Sequence, residues 1–172
     1  MELAIKEKYA LENIERIEQF RASIMDFEEK IVNAPGSYGD PKNPGQDEIA
    51  NQINPLKHTF ADGLYIREIF MPKEQLFTTG IHKKEHPYFI QKGEVSVLTE
   101  NGVEKIKAPF NGITQPGTKR VIYTNEDTIW ITVHATNKTT VKEVLEEIVA
   151  KDFNDPEISV ESMRKKLNLK NK

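Results

Sequence analysis

From Glu2 to about Asn33 the chain has no proline or glycine, and Leu3, Ala10, Ile17, Ile24 and Ile31 recur every seven residues, with Phe20 and Phe27 three places after two of them. Glu12, Glu15, Arg16, Glu18, Glu28, Glu29 and Lys30 fill the remaining positions, so the spacing predicts one long amphipathic helix lying half in water. Its apolar stripe has two uses: packing on the domain that follows, or pairing with the helix of another copy of the chain. Four imperfect heptads are too weak to force a coiled coil. The stretch Ala34-Pro-Gly-Ser-Tyr-Gly-Asp-Pro-Lys-Asn-Pro-Gly45 then concentrates helix- and strand-breaking residues, which predicts an irregular connector. It lacks the spacing of a phosphate-cradling loop. Asp47 to Ile53 suits a short helix stopped by Asn54-Pro55.

From Gly63 the pattern shortens to runs of Ile, Val, Phe, Tyr and Thr broken by turn residues every eight to twelve positions. Strands are expected near Leu64 to Met71, Gln75 to His82, Pro87 to Gln91, Glu94 to Thr99, Val103 to Ala108, Gly112 to Thr114, Lys119 to Thr124 and Thr128 to Ala135. Asn101-Gly102 is the best hairpin signal, since both residues tolerate the positive φ of a type I′ turn. Eight short antiparallel strands fit a closed or sandwiched barrel better than an open sheet. After it, Thr139 or Thr140 caps a helix from Val141 to about Lys151, Asp155-Pro156 interrupts, and Val160 to Leu167 forms a second helix before a basic tail ending at Lys172. The expected organisation is an N-terminal helix over 1–33, a linker over 34–57, a β-barrel over 58–136, and C-terminal helices with a tail over 137–172.

At 172 residues a buried core needs no disulfides, and the absence of cysteine removes thiolate metal sites and cysteine nucleophiles. A net charge of -3 with 30% charged residues gives no general reason to expect nucleic acid or an anionic membrane. No apolar run approaches the roughly twenty residues that span a bilayer, and the first residues are not those of a signal peptide. A cytoplasmic protein is expected, with neither nucleic acid nor membrane as partner.

The chemistry concentrates in Thr79 to Gly93, where His82 and His86, two of only four histidines, flank the polar turn Lys83-Lys84-Glu85. Neighbouring antiparallel strands would carry one imidazole each, and neutral imidazoles so placed either converge on a transition metal, hydrogen-bond across a barrel mouth, or sit on the barrel surface. Tyr88, Tyr123 and Trp130 are either core or the lining of a pocket for a planar ligand. Arg120 and Lys119 follow the Pro116-Gly117 turn, where they either bind a carboxylate or phosphate or stand exposed on a rim. His58 is expected on the surface.

Gly93-Glu94-Val95-Ser96-Val97, with His86 and His82 upstream, resembles the end of the first cupin motif. Gly112-Ile-Thr-Gln-Pro116-Gly117-Thr-Lys-Arg120-Val-Ile-Tyr123-Thr-Asn125 resembles the second. His86 stands where the cupin pattern has Glu, Gly80 where it has its first His, and Arg120 lies nearest to where it has the second motif's His. The resemblance implies a single cupin-type jelly roll. It also implies that the last strand passes beside the first-motif strands, so that His134 completes a three-histidine face with His82 and His86. Such a face suits a divalent transition metal (Fe, Mn, Ni or Zn), with Glu85 as a fourth ligand or a partner to one. Pro116 to Arg120, Glu126-Asp127-Thr128, Trp130 and His134 are also similar to small cupin-like proteins encoded by bacteriophages, which would place the chain in a virion or host cytoplasm.

Two functions are consistent with these residues. One is a metal-binding cupin acting on or binding a small anionic or oxygenated molecule, with Arg120 holding an anionic group and Tyr123 or Glu85 moving a proton. The other is a non-catalytic ligand-binding or assembly cupin, such as a phage accessory protein, that forms a homo-oligomer through its helices.

Overall fold

The computed structural model describes residues 2–39 and 47–167, with side chains from Lys8 onward. The middle of the expected connector and the basic tail from residue 168 lie outside the described residues. Strands β2 (Leu64–Met71), β3 (Leu76–Thr78), β5 (His86–Lys92), β6 (Glu94–Thr99), β7 (Gly102–Lys107), β8 (Phe110–Thr114), β9 (Val121–Thr124) and β10 (Thr128–Ala135) match the eight expected runs. They form two antiparallel sheets, in the orders β2-β10-β5-β8 and β3-β9-β6-β7. Two sheets whose chain alternates between them in this order make a double Greek key, the jelly roll shared by the cupins. Among the described residues the two sheets face each other without a continuous closed ladder.

Three features depart from the expected pattern. An additional strand, β1 (Leu56–Ala61), extends the first sheet at its β2 edge. The run from Gln75 to His82 breaks at Thr79-Gly80, which leaves β4 (Ile81–His82) to pair with β11 (Val149–Ala150). The β6–β7 hairpin forms, but its central residues are Glu100 and Asn101, and only Gly102 has positive φ (103°), so this is not the type I′ turn anticipated.

Alternation sorts the strand residues. On β10, Thr128, Trp130, Thr132 and His134 are buried and point between the sheets, while Ile129, Ile131 and Val133 face the other way. One end of the interior is apolar, with Met71, Ile90, Val95, Val97, Ile106, Ile122 and Trp130 forming the core. Gly93 turns the chain beside it at φ 87°, where a Cβ would lie 2.3 Å from the Asp127 carbonyl, so no other residue fits without backbone movement.

Helix α1 (Glu2–Val32) packs on this domain through Ile14, Arg21, Ile24 and Glu28. Glu28, expected on the solvent face, is instead buried against Lys119 at 2.5 Å and accepts a hydrogen bond from Thr78. Arg21 donates to the Ile158 carbonyl at 2.9 Å and lies over the Phe153 ring. The packing use of the helix is therefore realised within the chain. At the other end, Thr140 caps α3 (Val141–Ile148), whose Val144 and Ile148 close over Tyr65, and α4 (Val160–Lys166) contacts α1. No described helix is long and apolar enough to cross a membrane.

Candidate functional site

Sheet register builds the polar end of the sandwich row by row. Trp130 sits between Ile69 and Ile90, the last apolar row. The next inward row is Arg67, Thr132, Tyr88 and Gly112. Beyond it His134 is paired with Tyr65 and His86 with Thr114. Continuing the Thr132–Tyr88 pairing by two residues puts His134 opposite His86, and their ring centroids are 4.1 Å apart. His82 enters from β4, whose backbone bonds to the second-motif turn: its N–H donates to the Thr118 carbonyl, and its carbonyl accepts from Gly117. That places the His82 ring 4.5 Å from His86 and 6.3 Å from His134. The structure thus brings together all three histidines singled out in the sequence.

Each of the three has a buried ring nitrogen without a hydrogen-bond partner: Nδ1 of His82, Nε2 of His86 and Nδ1 of His134. His86 Nδ1 lies 3.1 Å from the Lys84 carbonyl, which only accepts, so that nitrogen carries the proton and the lone pair is on the orphaned Nε2. Burial lowers the pKa of all three. His82 is held well below the usual imidazole value by burial and then by the charges of His86, Arg120, His134 and Arg67. His134 is brought to about 3 by burial, His86 and Arg67. For His86, burial outweighs the opposing Lys84 hydrogen bond. Neutral imidazole is the form that ligates metal.

The donor type, number and protonation state therefore suit a borderline transition metal. Nitrogens about 2.1 Å from a shared zinc would put ring centroids about 4.5–5.3 Å apart, and the observed spacings bracket that range. As they stand the rings are not converged: among the described residues no group of three or more His, Asp or Glu side chains is arranged to hold a metal ion.

Arg120 is the second feature. It is buried, donates from Nη2 to Thr114 at 2.9 Å, and lies 5.2 Å from the Tyr88 ring centre and 5.9 Å from that of Trp130. These two rings stack at 4.7 Å, and Gly112 permits it, because a Cβ there would meet the Tyr88 ring at 2.7 Å. Arg120 has no carboxylate partner among the described residues, and burial lowers its pKa against the smaller opposing effects of Tyr88 and Glu100. Tyr88 and Trp130 are core residues that also floor this cation.

The other expected residues lie elsewhere. Lys119 is taken up by Glu28 and the Thr79 carbonyl, 2.7 Å away. Tyr123 is 39% exposed on the outward face of β9, and Glu85 is exposed on the turn before His86. His58 is exposed on β1, as expected, and its Nδ1 lies 2.7 Å from the hydroxyl of the fully buried Tyr65. Tyr65, Arg67 and Thr114 escaped attention in the sequence, although the alternation that exposes Ile66 and Glu68 to the outer face assigns Tyr65 and Arg67 inward.

No family model and no curated protein matches the chain. Solved structures do show likeness. The Clostridium difficile EutQ protein is 14% identical, with 62% of this chain and 81% of that one covered at a TM-score of 0.43. The acetylacetone dioxygenase of Acinetobacter johnsonii is 19% identical, with 48% and 58% covered at 0.39. A predicted oxalate decarboxylase from Thermotoga maritima is 17% identical, with 47% and 78% covered at 0.40. At such identities and scores, nothing these proteins do carries over to this chain.

Proposed function

We propose that this jelly roll binds one divalent transition metal through His82, His86 and His134, and a small anionic or oxygenated molecule beside it through Arg120. The observation that carries the reading is the trio of neutral imidazoles, each with a sealed, unpartnered ring nitrogen and one with its tautomer fixed for ligation. Orphaned buried nitrogens cost about 1–3 kcal/mol each, a burden that a bound cation relieves. Three protein donors leave coordination positions open, and a bound metal supplies Lewis acidity toward an oxygen atom. Arg120, buried against Tyr88 and Trp130 without a counter-charge, orients an anionic group from the second-motif side, and its N–H donors keep that group fixed. Thr114 fixes the guanidinium in turn.

The test is the metal content of tag-free protein purified without chelators, compared with a His82→Ala/His86→Ala double variant. One equivalent in the wild type and none in the variant is expected. A metal-free wild type that also fails to take up zinc, iron, manganese or nickel on dialysis leaves the second reading, a ligand-binding or assembly jelly roll without a metal.

A further inference from the structure

One cavity lies away from the histidines. It measures about 470 Å³ and sits under the end of α1, against the short helix α2 (Glu48–Ile53) and the open edge between β1–β2 and β3. None of His82, His86 and His134 lines it. Its walls are largely apolar, with Ile31, Val32, Leu56, Ile69, Leu76 and Phe77 among them, and its size is that of a small-molecule pocket.

Most polar groups at this cavity already have partners. Asn54 donates to Gln75 at 2.7 Å, and Gln75 bonds to the Tyr38 hydroxyl. Asp47 accepts the Gly39 and Ala50 amides, and Thr78 donates to Glu28. Glu74 is 3.8 Å from Lys73 at the exposed rim. Arg67 is different. It points inward from β2, lines the cavity, and has neither hydrogen bond nor ion pair among the described residues. Arg67 is partly buried, and the desolvation that lowers its pKa, opposed only by Tyr65, is what a paired anion would relieve.

We infer that this cavity binds a small organic monocarboxylate, its carboxylate paired with the Arg67 guanidinium and its hydrocarbon body lying against Ile69, Leu56 and Phe77. A single fork-shaped cation facing apolar walls matches one carboxylate on a greasy body better than it matches phosphate, which calls for several donors. The cavity is lined by none of the histidines, so it can bind without a metal, although the Arg67 charge also bears on His82 and His134.

Calorimetry tests this on the full chain, dialysed first against EDTA and then free of it, with hexanoate and benzoate as probes and hexanamide, benzamide and inorganic phosphate as comparisons. Both carboxylates are expected to bind one per chain, the amides and phosphate at least about tenfold more weakly, and Arg67→Met to lose at least about tenfold in carboxylate affinity. Leu76→Trp, at the half-exposed rim, is expected to block binding without touching the guanidinium. Failure of both carboxylates to bind overturns the inference. So does binding unchanged in both variants, or a loss seen in Arg120→Gln but not in Arg67→Met.

Discussion

Trp130 and His134 stand four residues apart on one strand, both buried and both facing the space between the sheets, yet their surroundings are opposite. Around Trp130 the facing side chains are Ile69, Ile90, Met71 and the stacked Tyr88 ring, with the Arg120 guanidinium over one side. Around His134 they are Tyr65, whose hydroxyl is bonded to His58, and His86 and His82, each with a buried ring nitrogen that finds no partner. The same strands, register and burial thus support a half that stabilises the fold and a half that costs stability. A costly half persists in an economical fold when it does something else, and the proposed metal site would account for this contrast.

The largest effect is expected in the apolar half. Trp130→Ala should lower the unfolding free energy by about 4 kcal/mol in urea titrations, through lost contact and a cavity. Nearly as large is Glu28→Ala, which takes the carboxylate from the buried Lys119 and should cost about 3 kcal/mol. Adding Lys119→Met should recover much of that loss, and a double variant as unstable as the single one would show that the loss comes from Glu28's own contacts rather than from the Lys119 charge.

Acid sharpens the contrast. The three clustered histidines have folded pKa values below the ordinary 6.5, His134 at about 3. Between about pH 6.5 and 3 the unfolded chain therefore binds protons that the folded chain refuses, so stability rises with pH across that window and is lost as pH falls through it. Urea midpoints measured from about pH 7 to 4 should drop, and the drop should be smaller in His134→Leu. At neutral pH the same His134→Leu variant should change stability by less than about 1 kcal/mol, since an apolar side chain replaces an unpaired polar one, while metal uptake disappears. A cost comparable to that of Trp130→Ala would show that the polar half is ordinary core.

Much of this was legible in the sequence, and what was not has physical causes. The strand rhythm, the long helix and the Thr140 cap follow from periodicity and local chemistry, which are short-range signals. Strand β1 escaped because Lys57, His58 and Thr59 carry an edge strand with almost no buried face. Glu28 and Arg21 look like solvent residues within a helical pattern, and only the position of Lys119 and Ile158 in the fold makes them buried clamps. The His82–His86 pair stood out through its spacing, and His134 through a likeness to cupins. Arg67 was hidden in plain alternation: a charged residue at an inward strand position is a signal, provided that the parity of Tyr65, Ile69 and Met71 is followed through it.

The most direct measurement of the metal reading is the ¹⁵N spectrum of the imidazoles before and after one equivalent of zinc. His82, His86 and His134 should all be neutral at pH 7, with His86 protonated at Nδ1, and all three should shift together at one zinc per chain while His58 stays in place. Imidazoles that do not respond to zinc, or a response confined to His58, would contradict the account.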